Sequence, residues 1–337
     1  MLRKIVPIGW LAAFLLMLPS AGFCQEFKIG VMITRGAAEI FNEWKSTAEY
    51  LTANTGKNFT LVPMDFRQLA EATKDKKIDF VFTNSAQYAE FNKQYGVQVI
   101  ATQIAKFKEH ALDSYGAVII VKNDNPISTL ADFKGKTFGC NSRLGFGSWL
   151  VSHKLFLENG IDPNANFFKE MKELKTHDNV VYAVVNGAID GGAVRSTIVE
   201  KMVQDGKIKE TDFKVVHQIK DGYPVLHSTP VYPENPLAAL PHVPNDLRQA
   251  VGKAMVALKS TDKAVIDAKI VGWKEPLDYT PVVELLMAIK YGAFGKDVQA
   301  KAPAPQEQVE KAAEASVSVP AATAPQAKPG KGRTSNL

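Results

Sequence analysis

Phe27, Ile29, Val31 and Ile33 alternate with smaller or polar residues, the period-two pattern of a strand with one face on a core. Ile40, Trp44, Ala48 and Leu51 then share one face of a helix that Gly56 ends. Phe59 to Val62 reads as a second strand, Leu69 to Asp75 as a short helix, and Ile78 to Phe82 as a third strand. Thr83-Asn84-Ser85 leads into a helix ending at Gln94, and Val97 to Ile104 gives a fourth strand. Strands alternating with helices predict an α/β fold with a doubly wound, mostly parallel sheet.

The pattern then recurs. A strand at Lys136 to Cys140 enters a polar, glycine-spaced loop, Asn141 to Gly147, and a helix from Ser148 to Asn159. Gly160 is placed to cap that helix in the left-handed region, and Pro163 prevents its resumption. Val180 to Gly187, followed by Ala188-Ile189-Asp190 and an apolar strand, mirrors Leu69 to Lys77 and its strand. The offset is about 110 residues in both cases, so two lobes of similar design are expected. A chain of 337 residues is also too long for a single growing core. Tyr115 to Val121 and Tyr223 to Val231 read as extended segments crossing between the lobes. Helices at 245–259, 261–270 and 281–290 then pack back on the first lobe without a sheet of their own. Lobe I is therefore expected to hold residues 25–116 and 226–295, and lobe II residues 117–225.

The two ends differ from this body. Arg3 and Lys4 precede an apolar run from Ile5 to Leu18 and the small residues Ser20, Ala21 and Gly22. That order marks residues 1–24 as a secretory signal, which implies a periplasmic location. Cleavage after Gly22 or Cys24, lipid attachment at Cys24 and retention as an anchor all stay open. Residues 296–337 are rich in Ala, Pro and Lys with few large apolar side chains, the composition of a disordered tail. The signal and the tail each carry +2 of the net +5, which leaves +1 for the body. Without a broad basic field, nucleic acid is not an expected partner, and any anion preference must be built locally. Once Cys24 has left, Cys140 has no disulfide partner. No Cys or His cluster has metal-ligand spacing, so neither metal nor cofactor is expected.

In open α/β sheets ligands bind beyond the carboxyl ends of the strands. Those positions are Thr34, Arg35 and Gly36 after the first strand, and Thr83, Asn84 and Ser85 after the third. In the second lobe they are Ser142, Arg143, Gly145, Phe146, Gly147 and Ser148, then His177 and Arg195. A loop of small polar residues at a helix start leaves backbone N–H groups without intrahelical acceptors, which suits an anion; an ordinary capped turn looks the same. Arg195 ends an apolar strand, where a planar guanidinium can hold an oxyanion in two bonds or pair with a structural carboxylate such as Glu200. His177 is either a donor to that anion or a solvated turn residue. Tyr88 and Tyr115 either wall the cleft or belong to the core. Cys140 with His153 or His177 would be the nucleophilic pair of an enzyme, but no third orienting group accompanies it.

These residues, in this order, resemble the phosphonate-type periplasmic substrate-binding proteins over residues 27 to about 292. The resemblance rests on the Ser142 to Ser148 loop, His177-Asp178, and Asn186-Gly187-Ala188-Ile189-Asp190-Gly191-Gly192-Ala193-Val194. It is closer still to the periplasmic sensor domains of tetrathionate-responsive histidine kinases. That likeness is carried by Val194-Arg195, His227-Ser228-Thr229-Pro230-Val231-Tyr232-Pro233 and Gly272-Trp273-Lys274-Glu275-Pro276-Leu277-Asp278-Tyr279. It implies a two-lobe, type II binding-protein fold that acts as a monomer and closes on a small oxyanion without catalysis. Phosphonate binders of the family carry an acidic residue for a substrate amine where Arg195 stands. The arginine therefore favours a more highly charged, amine-free anion, such as the sulfur oxyanions tetrathionate or thiosulfate, and Leu144 and Phe146 depart from the loop pattern of simple phosphonate binders. A phosphate, phosphite or phosphonate ligand is the alternative. The implied partner is a membrane permease, or a separately encoded histidine kinase, since no kinase follows the binding region.

Overall fold

The computed structural model describes residues 25–34 and 36–295; the expected signal segment, Arg35 and the expected tail lie outside the described residues. The opening elements fall where the periodicity puts them. They are β1 (Glu26–Met32), α1 (Ala37–Thr55), β2 (Asn58–Met64), α2 (Phe66–Lys74), β3 (Phe80–Phe82), α3 (Ser85–Tyr95) and β4 (Gln98–Phe107). A hairpin strand β5 (His110–Leu112) and the short β6 (Ser114–Tyr115) lead into β7 (Ala117–Lys122). The second round is β8 (Thr137–Cys140), a π turn at Phe146–Leu150, α4 (Val151–Glu158), β9 (Glu170–Glu173), α5 (His177–Val185), β10 (Gly191–Arg195), α6 (Ile198–Gln204) and β11 (Phe213–Val216). The chain returns through β12 (Tyr232–Pro233), β13 (Pro236–Ala239), α7 (Asn245–Val256), α8 (Lys263–Ala268), β14 (Ile270–Lys274) and α9 (Thr280–Ala288).

The strands form two large sheets of related order. One runs β2-β1-β3-β13-β4-β14 with β5 on β4, and the other β9-β8-β10-β7-β11. In each, a β-α-β-α-β unit lays down three parallel strands. A reversed strand follows: β13 is antiparallel to β3 and β4, and β7 to β10 and β11. The α/β fold holds, but the sheets are mixed and not mostly parallel. In both cases the reversed strand inside the sheet is the one delivered by a crossing; β14 and β5 also run antiparallel to β4, at the edge of the first sheet. The parallel strands β3 and β10 end beside the starts of β13 and β7, so the chain arriving through the crossing enters at that edge and runs away from it. The closing third likewise contains the strands β13 and β14 as well as helices. Lys269, with a φ of 54°, stops α8 and turns the chain straight into β14.

The crossing itself is narrower than expected. β6 and β12 pair over two residues each, Tyr115 with Tyr232 and Ser114 with Pro233. The segment expected as an outgoing strand at 223–231 forms none. Pro224 and Pro230 lack backbone N–H groups, and hydroxyls replace the missing ladder. Ser228 N–H donates to the Ala117 carbonyl at 2.7 Å, Ser228 Oγ accepts from Ile119 N–H at 3.0 Å, and Thr229 Oγ1 accepts from Ala117 N–H at 3.0 Å.

Both faces of each sheet are covered, as the apolar runs require. Along β7, Val118 and Ile120 face one core while Ala117, Ile119 and Val121 face another. The second of these cores continues from lobe II into the lobe I residues Tyr88, Leu285 and Leu286. Phe138 lies at the centre of lobe II, fully buried, with ring centroids of Phe133, Phe156 and Phe168 at 5.1, 5.7 and 4.9 Å. Phe138→Ala should therefore lower stability by about 3–5 kcal/mol. Phe41→Ala, at a side chain 45% exposed, should stay within about 0.5 kcal/mol. Equilibrium chemical denaturation separates the two, and equal effects would contradict this core.

Candidate functional site

The lobe II jaw is a loop that satisfies itself. Ser148 Oγ donates to Asn141 Oδ1 at 2.5 Å, Gly145 N–H to the Ser142 carbonyl at 3.0 Å, and Leu144 N–H to Ser142 Oγ at 3.1 Å. The helix opens wide, with Leu150 N–H reaching back to the Gly145 carbonyl at 3.2 Å. Its first N–H groups consequently lack intrahelical acceptors. Two glycines make the tight approach possible. A Cβ on Gly145 would lie 2.5 Å from Asn141 Oδ1, and one on Gly147 would lie 2.6 Å from the Tyr115 ring. Phe146 is buried, its ring 5.7 Å from Tyr115 and 5.4 Å from Tyr232, so it serves the hinge. Arg143 is exposed and held by Glu173, which accepts from Arg143 N–H at 2.9 Å and pairs with Nε at 3.8 Å.

The lobe I jaw is also largely occupied by its own bonds. Asn84 caps α3, its Oδ1 accepting from Gln87 N–H at 2.8 Å. Thr83 Oγ1 donates to Gln87 Oε1 at 2.5 Å, and Ser85 Oγ to the Pro233 carbonyl at 2.6 Å. Thr34 and Gly36 are exposed at the start of α1. Thr34, Thr83 and Asn235 line a cavity of about 90 Å³ with Met32, Trp44 and Phe82. Tyr88 is a core residue whose ring lies 4.9 Å from Tyr279.

Arg195 ends β10 opposite Ala117, beside the crossing. Its guanidinium carbon sits 3.9 Å over the Tyr115 ring, and Nη2 donates to Glu234 Oε1. The structural carboxylate is thus Glu234, not Glu200, whose Oε1 instead accepts from Leu226 N–H at 2.5 Å. Burial pulls the Arg195 pKa down, but the Glu234 charge and hydrogen bond outweigh it, so the net direction is upward and the cation is kept. The Arg195 side chain is 20% exposed and that of Glu234 not at all, so the arginine is the member of the pair a ligand can reach.

His177 adjoins it. Arg195 N–H points at His177 Nδ1 at 3.4 Å, which assigns the proton to Nε2 and makes that nitrogen a donor. Burial, then the Arg195 charge, push its pKa down to about 4, so the ring is neutral near pH 7. The hinge completes the shell: Tyr115 OH donates to Asn235 Oδ1 at 3.1 Å, and Tyr279 OH to the Glu234 carbonyl at 2.6 Å. Glu234 and Asn235 escaped sequence reasoning. Their signal is a lone carboxylate between Pro233 and Pro236 inside an otherwise apolar return segment.

The rival chemistry does not assemble. Burial first, then Glu173, push the Cys140 thiol up to about 12. His153 stacks on Trp149 and meets Asn164 at 3.2 Å, while His177 faces Arg195. Among the described residues no group of three or more His, Cys, Asp or Glu could hold a metal ion.

Two outcomes follow from this geometry. Gly147→Ala keeps an ordinary φ of −73° yet drives a methyl into Tyr115, so it should cost about 1–3 kcal/mol in thermal or chemical unfolding. For His177, the unfolded chain takes up a proton below about pH 6.5 that the folded chain refuses until about 4. Stability should fall as pH drops through that window, with a smaller slope in His177→Asn; equal slopes for the two would refute the assignment.

Several solved structures share this fold. A binding-protein component of a phosphonate ABC transporter from Pseudomonas aeruginosa superposes with a TM-score of 0.63 at 17% identity, covering 79% of this chain and 86% of that one. A Xanthomonas citri protein solved bound to ATP gives 0.64 at 17% identity, covering 78% and 95%. A Prochlorococcus marinus protein in complex with methylphosphonate gives 0.62 at 13% identity, covering 77% and 97%. In sequence, the chain is 30% identical over 241 residues to the tetrathionate sensor histidine kinase TtrS of Salmonella typhimurium. That match takes in 71% of this chain but only 40% of the kinase, so the chain spans less than half of that relative's length. Residues 29–279 match the family model described as the phosphonate ABC transporter periplasmic substrate-binding protein. With that model spanning most of both lobes, the chain belongs to the phosphonate-binding family of periplasmic substrate-binding proteins.

Proposed function

We infer that this protein captures a small sulfur oxyanion, of the tetrathionate or thiosulfate kind, between its two lobes and reports the capture to a membrane partner. The observation that carries the reading is Arg195: a cation at the cleft end of β10, stacked on a hinge tyrosine and partly open to the cleft. The neutral His177 and the first N–H groups of the Phe146–Leu150 turn supply uncharged donors on the same jaw. A hydrogen bond to a charged group is worth roughly 1.5–3 kcal/mol. Arg195 with a few such donors supports micromolar binding, about 8 kcal/mol. Similarity to a tetrathionate sensor kinase favours the sulfur ligand and a sensing role.

In this reading residues 1–24 direct export, residues 25–116 and 226–295 form one jaw, and residues 117–225 form the other. No helix among the described residues is long and apolar enough to cross a membrane. The partner in this reading is a membrane-bound histidine kinase, as the similarity to a sensor kinase suggests. Membership of the phosphonate-binding family favours a second reading, the substrate-capturing component of a phosphate, phosphite or phosphonate ABC transporter.

Isothermal titration calorimetry against tetrathionate, thiosulfate, sulfate, phosphate, phosphite and methylphosphonate tests both. Tetrathionate or thiosulfate should bind at micromolar concentration, and Arg195→Ala should weaken binding by roughly 10- to 100-fold. Arg195→Lys, which keeps the charge but loses the planar fork, should fall between. Heat from phosphonates alone would favour the transporter reading. No heat from any anion, or equal affinity in Arg195→Ala, would remove the oxyanion reading.

A further inference from the structure

Glu234 places a carboxylate beside the cation that an anionic ligand must reach. Its side chain is fully buried and fixed at both oxygens: Oε1 takes Arg195 Nη2, and Oε2 takes Asn235 N–H at 3.0 Å. Its backbone is pinned as well, the N–H to the Asp113 carbonyl at 2.9 Å and the carbonyl to Tyr279 OH at 2.6 Å. Swinging the Glu234 carboxylate away would break the bonds to both Arg195 and Asn235 N–H. One edge of the guanidinium is thereby occupied, and the Tyr115 ring covers one face. A ligand is left the remaining edge.

The other groups around the pair bring no compensating charge. His177 is neutral above about pH 4, and burial pushes Tyr115 and Tyr223 up to about 12 and Tyr279 upward too, so all three phenols stay protonated. Asp113 is answered by Lys274 at 2.8 Å. Arg195 and Glu234 thus sum to zero, whereas an isolated arginine would present a full positive charge.

We propose that Glu234 sets the charge the cleft accepts: it favours oxyanions that present a single negative charge to Arg195, sulfonate-type ends, and rejects compact dianions such as sulfate and hydrogen phosphate. Repulsion from the fixed carboxylate scales with the charge on the ligand's near end, while one shared guanidinium is all that answers it. Tetrathionate carries its two charges on separate sulfonate ends and meets the condition; sulfate and thiosulfate, both compact dianions, do not, so of the two sulfur ligands named above tetrathionate is the one selected. Rejection of the wrong anion by a built-in like charge is a common source of specificity. This inference rests on the oxyanion reading above.

Calorimetry on the full chain, wild type against Glu234→Gln, with tetrathionate, methanesulfonate, sulfate and phosphate, provides the test. Wild type should favour tetrathionate over sulfate by about tenfold or more, and in Glu234→Gln sulfate and phosphate should gain about tenfold relative to methanesulfonate. Thermal melts establish that the variant is folded. If it is not, methylphosphonate serves with the wild type: its affinity should fall as pH rises through the ligand's own second ionisation. Anion binding with an unchanged sulfate-to-sulfonate ratio in Glu234→Gln, or methylphosphonate affinity that is flat or rising with pH, overturns the role of Glu234 alone. No binding of any anion by the wild type removes the oxyanion reading and this inference with it.

Discussion

The ion pair between Arg195 and Glu234 joins the end of a lobe II strand to the segment that carries the chain back into lobe I. Burying two charges is costly unless they are paired and their remaining valences are met. The surroundings can be read as the means of meeting that cost. Tyr115 lies under the guanidinium, Asn235 N–H and Tyr279 hold Glu234 from the other side, and Gly147 leaves room for the stack. Phe146 and Tyr232, both buried, pack into the same corner. The hinge is therefore a small polar core as much as a pair of crossing strands.

Most of the fold was legible because it rests on local rules. Helix faces such as Ile40, Trp44, Ala48 and Leu51 are buried as the spacing requires, and Gly56 and Gly160 take the left-handed conformation that ends their helices. The repeat, faint in its letters, reappears as a shared strand order in the two sheets. The reversed strands were not legible, since direction depends on where the chain enters a sheet and leaves no periodicity. β13 is only four residues long, and β12 two.

The candidate site was legible in position more than in role. Gly147 of the lobe II loop and His177 adjoin Arg195, and Ser85 of lobe I approaches the Tyr115 hydroxyl beneath it. Yet Thr83, Asn84, Ser85 and Ser148 spend their side chains on caps and internal bonds, which a list of polar residues cannot reveal. Side chains that look like ligand donors in sequence are here the scaffolding of the loops. What such loops leave over for an anion is backbone N–H, together with whichever charged group escapes full pairing.

The placement of β13 has a further consequence, for the order in which the molecule can be assembled. β13 separates β3 from β4, although all of lobe II lies between β4 and β13 in the chain. As the polypeptide emerges, the first sheet therefore holds two unpaired edges until Ala239 is available. Lobe I cannot be finished before lobe II has been synthesised and its return segment laid down. The lobe that opens the sequence closes last, and the crossing that later serves as a hinge is also the step that lets its sheet join up.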